Sequence, residues 1–251
     1  MEYASYSEQL SAALSLKLPP IALAFTAELP ADLPQFQGSV AAGCVFWEEA
    51  ARQPILTVAP QHEMCSIGVY THNLADPSPN YASELSTVLT VLGQLEYARK
   101  EDVEQIPVLP SRPSRVLYSP LAMCPVVPDV VMLFANSADG LIISEAIQQV
   151  EGGFPPAMGR PACAVVPQVV NSGRAALSLG CCGARAYLKV LADDVALWAL
   201  PGQKLAEYTG RIAALSAANK TLTRFHQLRQ EDVAAGRQPS YQESMGRLQS
   251  A

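Results

Sequence analysis

Two adjacent thiols between glycines, Gly180-Cys181-Cys182-Gly183, stand directly before Ala184-Arg185. The glycines leave the backbone free to fold tightly around a bound group, and the arginine sets a fixed cation one turn away. Three further cysteines, Cys44, Cys65 and Cys163, each sit at an element boundary rather than inside an apolar run. Three or four sulfurs that converge can hold a metal ion or an iron–sulfur cluster, and backbone amides near glycine can approach the sulfurs and stabilise their charge. Gly68, Gly180 and Gly183 supply such neighbours for Cys65 and Cys181. No C-x2-C pair is present, so the spacing does not describe a compact zinc module.

Other residues bear on the same chemistry. His62 precedes Cys65 in His62-Glu63-Met64-Cys65 and is a candidate imidazole ligand, general base or plain surface histidine. Arg185 could lower the pKa of a nucleophilic cysteine, pin the carboxylate or phosphate of a small ligand, or pair with Asp193 or Asp194. Tyr70 and His72 follow Cys65 and could line a pocket or belong to the core. Cys124, in Met123-Cys124-Pro125, reads as packing, and Cys182 as a spare thiol beside Cys181. A vicinal disulfide there would be strained. There is no GxGxxG, P-loop, GxSxG or HExxH motif, so nucleotide, serine-hydrolase and zinc-protease chemistries lose support.

The elements that must position these residues follow from composition and periodicity. At 251 residues, 49% hydrophobic and 16% charged, the chain can bury a proper core as a single domain, with halves near 8–100 and 115–200 and a helical tail from 202 to 251. The net charge of -6 offers no basic stripe for nucleic acid. No apolar run reaches the roughly 20 residues of a membrane span. The first residues lack the basic start and apolar core of a signal peptide, which points to the cytoplasm. In a reducing compartment the six cysteines are not a disulfide framework.

Helices are expected over 6–17, 45–51, 81–98, 138–150 and 202–235, and strands over 21–25, 55–58, 116–118, 130–134, 164–166, 175–179 and 187–190. A Pro-rich loop runs from Leu29 to Phe36, Val103 to Arg115 reads as loop, and the polar C-terminal residues as disorder. The stripe Tyr81, Leu85, Val88, Leu89, Leu92 and Leu95 is either core or the face of a homodimer. The alternation implies an α/β or α+β domain with a mixed sheet flanked by helices. A weak internal echo pairs Cys44 and Cys65 with Cys163 and Cys181, and two pseudo-symmetric halves would bring these four thiols toward one axis.

Pro19-Pro20-Ile21-Ala22-Leu23, Cys44 with Glu49-Ala50, Cys65-x-x-Gly68, Pro128-Asp129-Val130-Val131, Cys163 and Gly180-Cys181-x-Gly183-x-Arg185 occur here in order. This order resembles a bacterial and archaeal family of unknown function, DUF169, from about residue 8 to 215. The resemblance implies that Cys44, Cys65, Cys163, Cys181, Gly183 and Arg185 are the positions of interest, and it implies no established activity. One departure is that Ser66-Ile67 replaces the proline or glycine familiar after the second cysteine.

The leading expectation is a cytoplasmic protein that binds an iron–sulfur cluster, of the four-iron type, through Cys44, Cys65, Cys163 and Cys181. Zinc or no metal are the alternatives. Gly183 and Arg185 would complete the site, and a redox partner protein or a small anionic ligand would be its counterpart. A second reading is a metal-free cysteine enzyme or small-molecule binder that uses Cys181 or Cys65, with Arg185 as anion anchor. A third is a structural protein whose thiols are simply buried.

Overall fold

The computed structural model describes residues 2–25, 30, 33–158 and 160–250. Short apolar runs become strands: β1 (Ile21–Ala24), β2 (Ile55–Thr57), β3 (Val116–Pro120), β4 (Val130–Asn136), β5 (Ala157–Met158), β6 (Ala176–Ser178) and β7 (Val195–Pro201). They form one seven-stranded sheet in the order β2-β3-β1-β4-β7-β6-β5. All neighbours pair antiparallel except β5 and β6. The helices are α1 (Glu2–Ala13), α2 (Val45–Glu49), α3 (Ser66–Thr71), α4 (Tyr81–Gln94), α5 (Lys100–Glu104), α6 (Ser137–Glu151), α7 (Val165–Ser172), α8 (Leu205–Ala234) and α9 (Tyr241–Ser250). A mixed sheet flanked by helices, with a C-terminal helix, is the expected α/β class.

Strand side chains alternate between two faces, and each face builds its own core. Ile21, Leu23, Tyr118, Met132, Phe134 and Leu197 pack on one side with Phe46 and Trp47 of α2, Val69 of α3 and Val165 and Val169 of α7. Ala22, Leu117, Val131, Leu133, Trp198 and Leu200 pack on the other with Leu10 of α1, Ile143 and Ile147 of α6, and Tyr208 and Ile212 of α8. The helix α6 starts on Asn136, whose side chain accepts from the Asp139 amide, and ends on Gly152 in the left-handed region. Cys44, Cys163 and Cys181 pack against the first core and Cys124 lies in the second.

The strand order is a near-palindrome. The series β1, α2, β2, β3 of the first half is matched by β4, α7, β6, β7 of the second, and the central pair β1–β4 is antiparallel. Outward from the β1–β4 pair the strands run β3 then β2 on one side and β7 then β6 on the other. Cys44 lies ahead of α2 and Cys163 ahead of α7, while Cys65 follows β2 and Cys181 follows β6. The helices α4 and α5 belong to the first series alone, α6 and β5 to the second alone.

Several expectations need correction. Residues 164–166 are not a strand. They enter α7, because Val165, Val166 and Val169 share a face against the sheet, and Pro167 lies within the first turn, where no amide partner is lost. Residues 187–190 are not a strand either, since a π-helical turn Gly183–Tyr187 leads into loop. The strand missed was β7, nearly all of it buried. Part of the supposed loop 103–115 is α5, and α1 begins at Glu2. The polar C-terminus is helical, not disordered. Buried Asp232 of α8 accepts from Arg237 and Arg247, which ties α9 down. The Pro-rich loop from Leu29 to Phe36 lies partly outside the described residues.

Candidate functional site

Cys44, Cys65, Cys163 and Cys181 all line one cavity of about 440 Å³ on the first face of the sheet. Each introduces a helical turn. Cys44 precedes α2, Cys65 precedes α3, Cys163 lies in the 3-10 turn Ala162–Ala164 before α7, and Cys181 comes two residues before the π-turn. The four are partly buried free thiols. Each would, as a thiolate, hold the thiols of the others toward the neutral form. Among the described residues, no three His, Cys, Asp or Glu side chains stand close enough to share one metal ion.

Burial dominates the electrostatics. Loss of solvent pushes the Cys44 thiol up to about 12, and the Cys65 and Cys181 charges push it further the same way. Cys163 is raised by burial first and by Cys65 next, partly offset by the Thr71 hydroxyl 3.5 Å from its sulfur. Cys65 is also raised by burial, against the amides of Gly43 and Gly68, which are turned toward its sulfur and favour the thiolate. A Cβ at Gly68 would stand 2.7 Å from the Cys65 sulfur, so only glycine lets this amide come so near. At Gly183 the corresponding distance to the Cys181 sulfur is 3.9 Å, an ordinary contact.

Two neutral imidazoles share the wall. His72 has its Nδ1 3.1 Å from the Gly68 carbonyl. A carbonyl only accepts, so Nδ1 carries the proton and Nε2 holds a lone pair. That Nε2 is buried without a partner among the described residues. His62 places Nε2 2.9 Å from the Thr57 hydroxyl. Burial lowers His72 to about 4 and His62 to about 3. Tyr118 completes the floor. Its phenol is raised by burial and by Cys163, Cys65 and Cys44, and its hydroxyl bonds to no described residue.

Arg185 is not where the sequence suggested. It is absent from the cavity wall, and its guanidinium donates to the carbonyls of Leu179, Ala192 and Val195. It staples the loop that carries Cys181. Gly180, at φ 93, permits this, because a Cβ there would lie 2.8 Å from Arg185 Nε and 2.6 Å from Leu191. Cys182 is exposed at the cavity edge. Cys124 is buried in the opposite core, where its thiol donates to the Val126 carbonyl, in keeping with a packing role. Tyr70 is not in the wall.

Sequence reading missed the roof and its cation. Val88, Leu89 and Leu92 of α4 and Val103 of α5 cover the thiols. Arg160 stands in the wall with its guanidinium over the Tyr97 ring, and donates to the Tyr97 carbonyl at 3.1 Å. Its only signal in the sequence is its place shortly before Cys163.

Among the described residues, no helix is long and apolar enough to cross a membrane. No curated protein and no solved structure matches the chain at a significant level. The family model of DUF169, described as uncharacterised ArCR, matches residues 9–210, and the chain belongs to that family.

Proposed function

We propose that this protein binds an iron–sulfur cluster through Cys44, Cys65, Cys163 and Cys181 and serves a redox, electron-transfer or ligand-activation role in the cytoplasm. The observation that carries the reading is the gathering of four cysteines, far apart in sequence, in the wall of one cavity. A single zinc ion would need sulfurs about 3.8 Å apart, since each lies about 2.3 Å from the metal. No three described ligands stand that close, and an iron–sulfide core would hold its cysteines farther apart than one zinc ion does.

The chain's own groups fit such an anion. The Gly43 and Gly68 amides donate toward the Cys65 sulfur, as donors that stabilise negative charge on a cluster should. Tyr118 offers a free hydroxyl, and the neutral His62 and His72 add no competing charge. When bound, a cluster would supply one-electron chemistry or an iron atom open to a ligand. A reducing compartment suits a chain whose six cysteines are free. The metal-free nucleophile is less well supported. Burial holds Cys65 toward the neutral thiol, and the Arg185 guanidinium is committed to carbonyls.

The test is iron, sulfide and zinc analysis with an absorption spectrum on protein purified without oxygen. About four irons and four sulfides per chain, with a broad shoulder near ~400 nm, are expected. Serine at any of the four positions should lower the content, while Cys124→Ser and Cys182→Ser should keep it. A colourless, metal-free wild-type protein overturns the reading.

A further inference from the structure

The thiols and imidazoles occupy only the floor of the cavity. Above them lies a chamber within the volume range of small-molecule sites, roofed by Val88, Leu89, Leu92 and Val103. The roof helix α4 has no buried residue along its fourteen positions. Its side chains Val88, Leu89 and Leu92 line the chamber while staying exposed or half-buried.

Three polar groups in the chamber wall lack partners suited to them. His72 Nε2 is an acceptor, 96% of whose residue is buried, with nothing donating to it. The Tyr118 hydroxyl has no described partner. Arg160 donates through Nη1 to the Tyr97 carbonyl, lies over the Tyr97 ring and pairs with no carboxylate among the described residues. Asp102, in the same wall, is already held by Arg99 at 2.6 Å. One unpaired guanidinium with a carboxylate nearby favours a single negative charge over a dianion. A planar fork matches a carboxylate in two parallel hydrogen bonds.

We infer that the chamber binds a small monocarboxylic acid, its carboxylate on Arg160 and its apolar body between the α4–α5 roof and the thiol floor. A ligand that also carries a hydroxyl or amine near its inner end would satisfy His72 Nε2. The inference uses the same cavity as the proposed cluster but does not depend on the thiols holding iron.

The experiment is calorimetric titration of hexanoate and of hexanamide, a neutral near-isostere, into the whole protein. Wild type should bind hexanoate at least about tenfold more tightly than hexanamide, the loss expected when a charge-assisted pair is removed. Arg160→Gln should abolish that preference, and Arg160→Lys should restore only part of it. Arg160 is exposed, so both variants should fold as wild type does. Equal binding of acid and amide, no binding of either, or an unchanged preference in Arg160→Gln overturns the inference. Parallel titrations of Cys181→Ser protein separate the two readings. Acid preference that persists in Cys181→Ser protein shows that the chamber does not need the cluster. Acid preference in iron-free wild type leaves the chamber standing and removes the cluster, while iron in wild type without acid preference does the reverse.

Discussion

Replacing Gly68 by alanine puts a methyl carbon 2.7 Å from the Cys65 sulfur and 3.6 Å from its Cβ. Non-bonded heavy atoms settle near 3.5–4.0 Å, so the sulfur must retreat by about 1 Å. Such overpacking costs about 1–3 kcal/mol, offset by about 0.5–1 kcal/mol because alanine is the better helix residue in α3. The net loss is about 0–2.5 kcal/mol, a fall in Tm of at most roughly 10 °C for a domain of this size. The proposed cluster site would be far less tolerant, because metal–ligand distances hold to about ±0.2 Å. Gly68→Ala should therefore remain folded by circular dichroism yet bind well under half the wild-type iron. Gly183→Ala, whose new methyl meets the Cys181 sulfur at 3.9 Å, should keep nearly all of it. Full iron content in Gly68→Ala, or equal loss in the two variants, would refute the role given to the Gly68–Cys65 approach.

Arg185→Met strips donors from the Leu179, Ala192 and Val195 carbonyls and should cost about 2–4 kcal/mol in urea denaturation. Lysine should not rescue it, because a point charge cannot serve three carbonyls at once. A midpoint unchanged in Arg185→Met would show that the staple is idle. The two buried histidines give a pH dependence whose sign follows from their lowered values. Their ordinary pKa is 6.5, against about 3 and about 4 in the fold, so the unfolded chain binds more protons between these limits. Their contribution is complete above pH 6.5 and is lost as the pH falls toward 4, on the order of 3 kcal/mol apiece by pH 4. Urea midpoints from pH 7.5 to 4.5 check this, and His72→Gln should flatten the slope. A profile as steep in His72→Gln as in wild type would assign the loss to other groups.

The legible parts of the fold were those with one dominant signal. Ile21–Ala24 and Val130–Phe134 are continuously apolar and form the central pair of the sheet, and Asn136 and Gly152 bracket α6 as caps do. The run at 164–166 deceived because β-branched residues against a sheet look alike in a strand and in a buried helix. The strand β7 was lost because its apolar run Val195–Pro201 is built largely of alanine and leucine, whose helix preference hides a buried strand. Of the site, the cysteines could be named from their places at element boundaries. Arg160 could not, since its relation to the thiols depends on Tyr97, 63 positions away. Arg185 misled for the opposite reason. Its neighbours in sequence are the thiol loop, but its partners in space are the carbonyls of that same loop.

The near-palindrome of the strand order bears on ancestry. A twofold axis inside one chain is the arrangement that fusion of the two subunits of a homodimer leaves behind. On that reading each ancestral subunit supplied two cysteines, neither could enclose a ligand alone, and the ligand acted as the rivet between them. On the same reading fusion would free the halves to diverge, the first carrying α4 and α5 and the second β5 and α6. The four thiols kept their symmetry while their surroundings lost it. Cys65 lies deep against two glycine amides, and Cys181 sits beside an exposed thiol at the cavity edge. A group held on the old axis would thus have an inner and an outer side, and any traffic of electrons or ligand would take a direction the ancestral dimer could not have imposed.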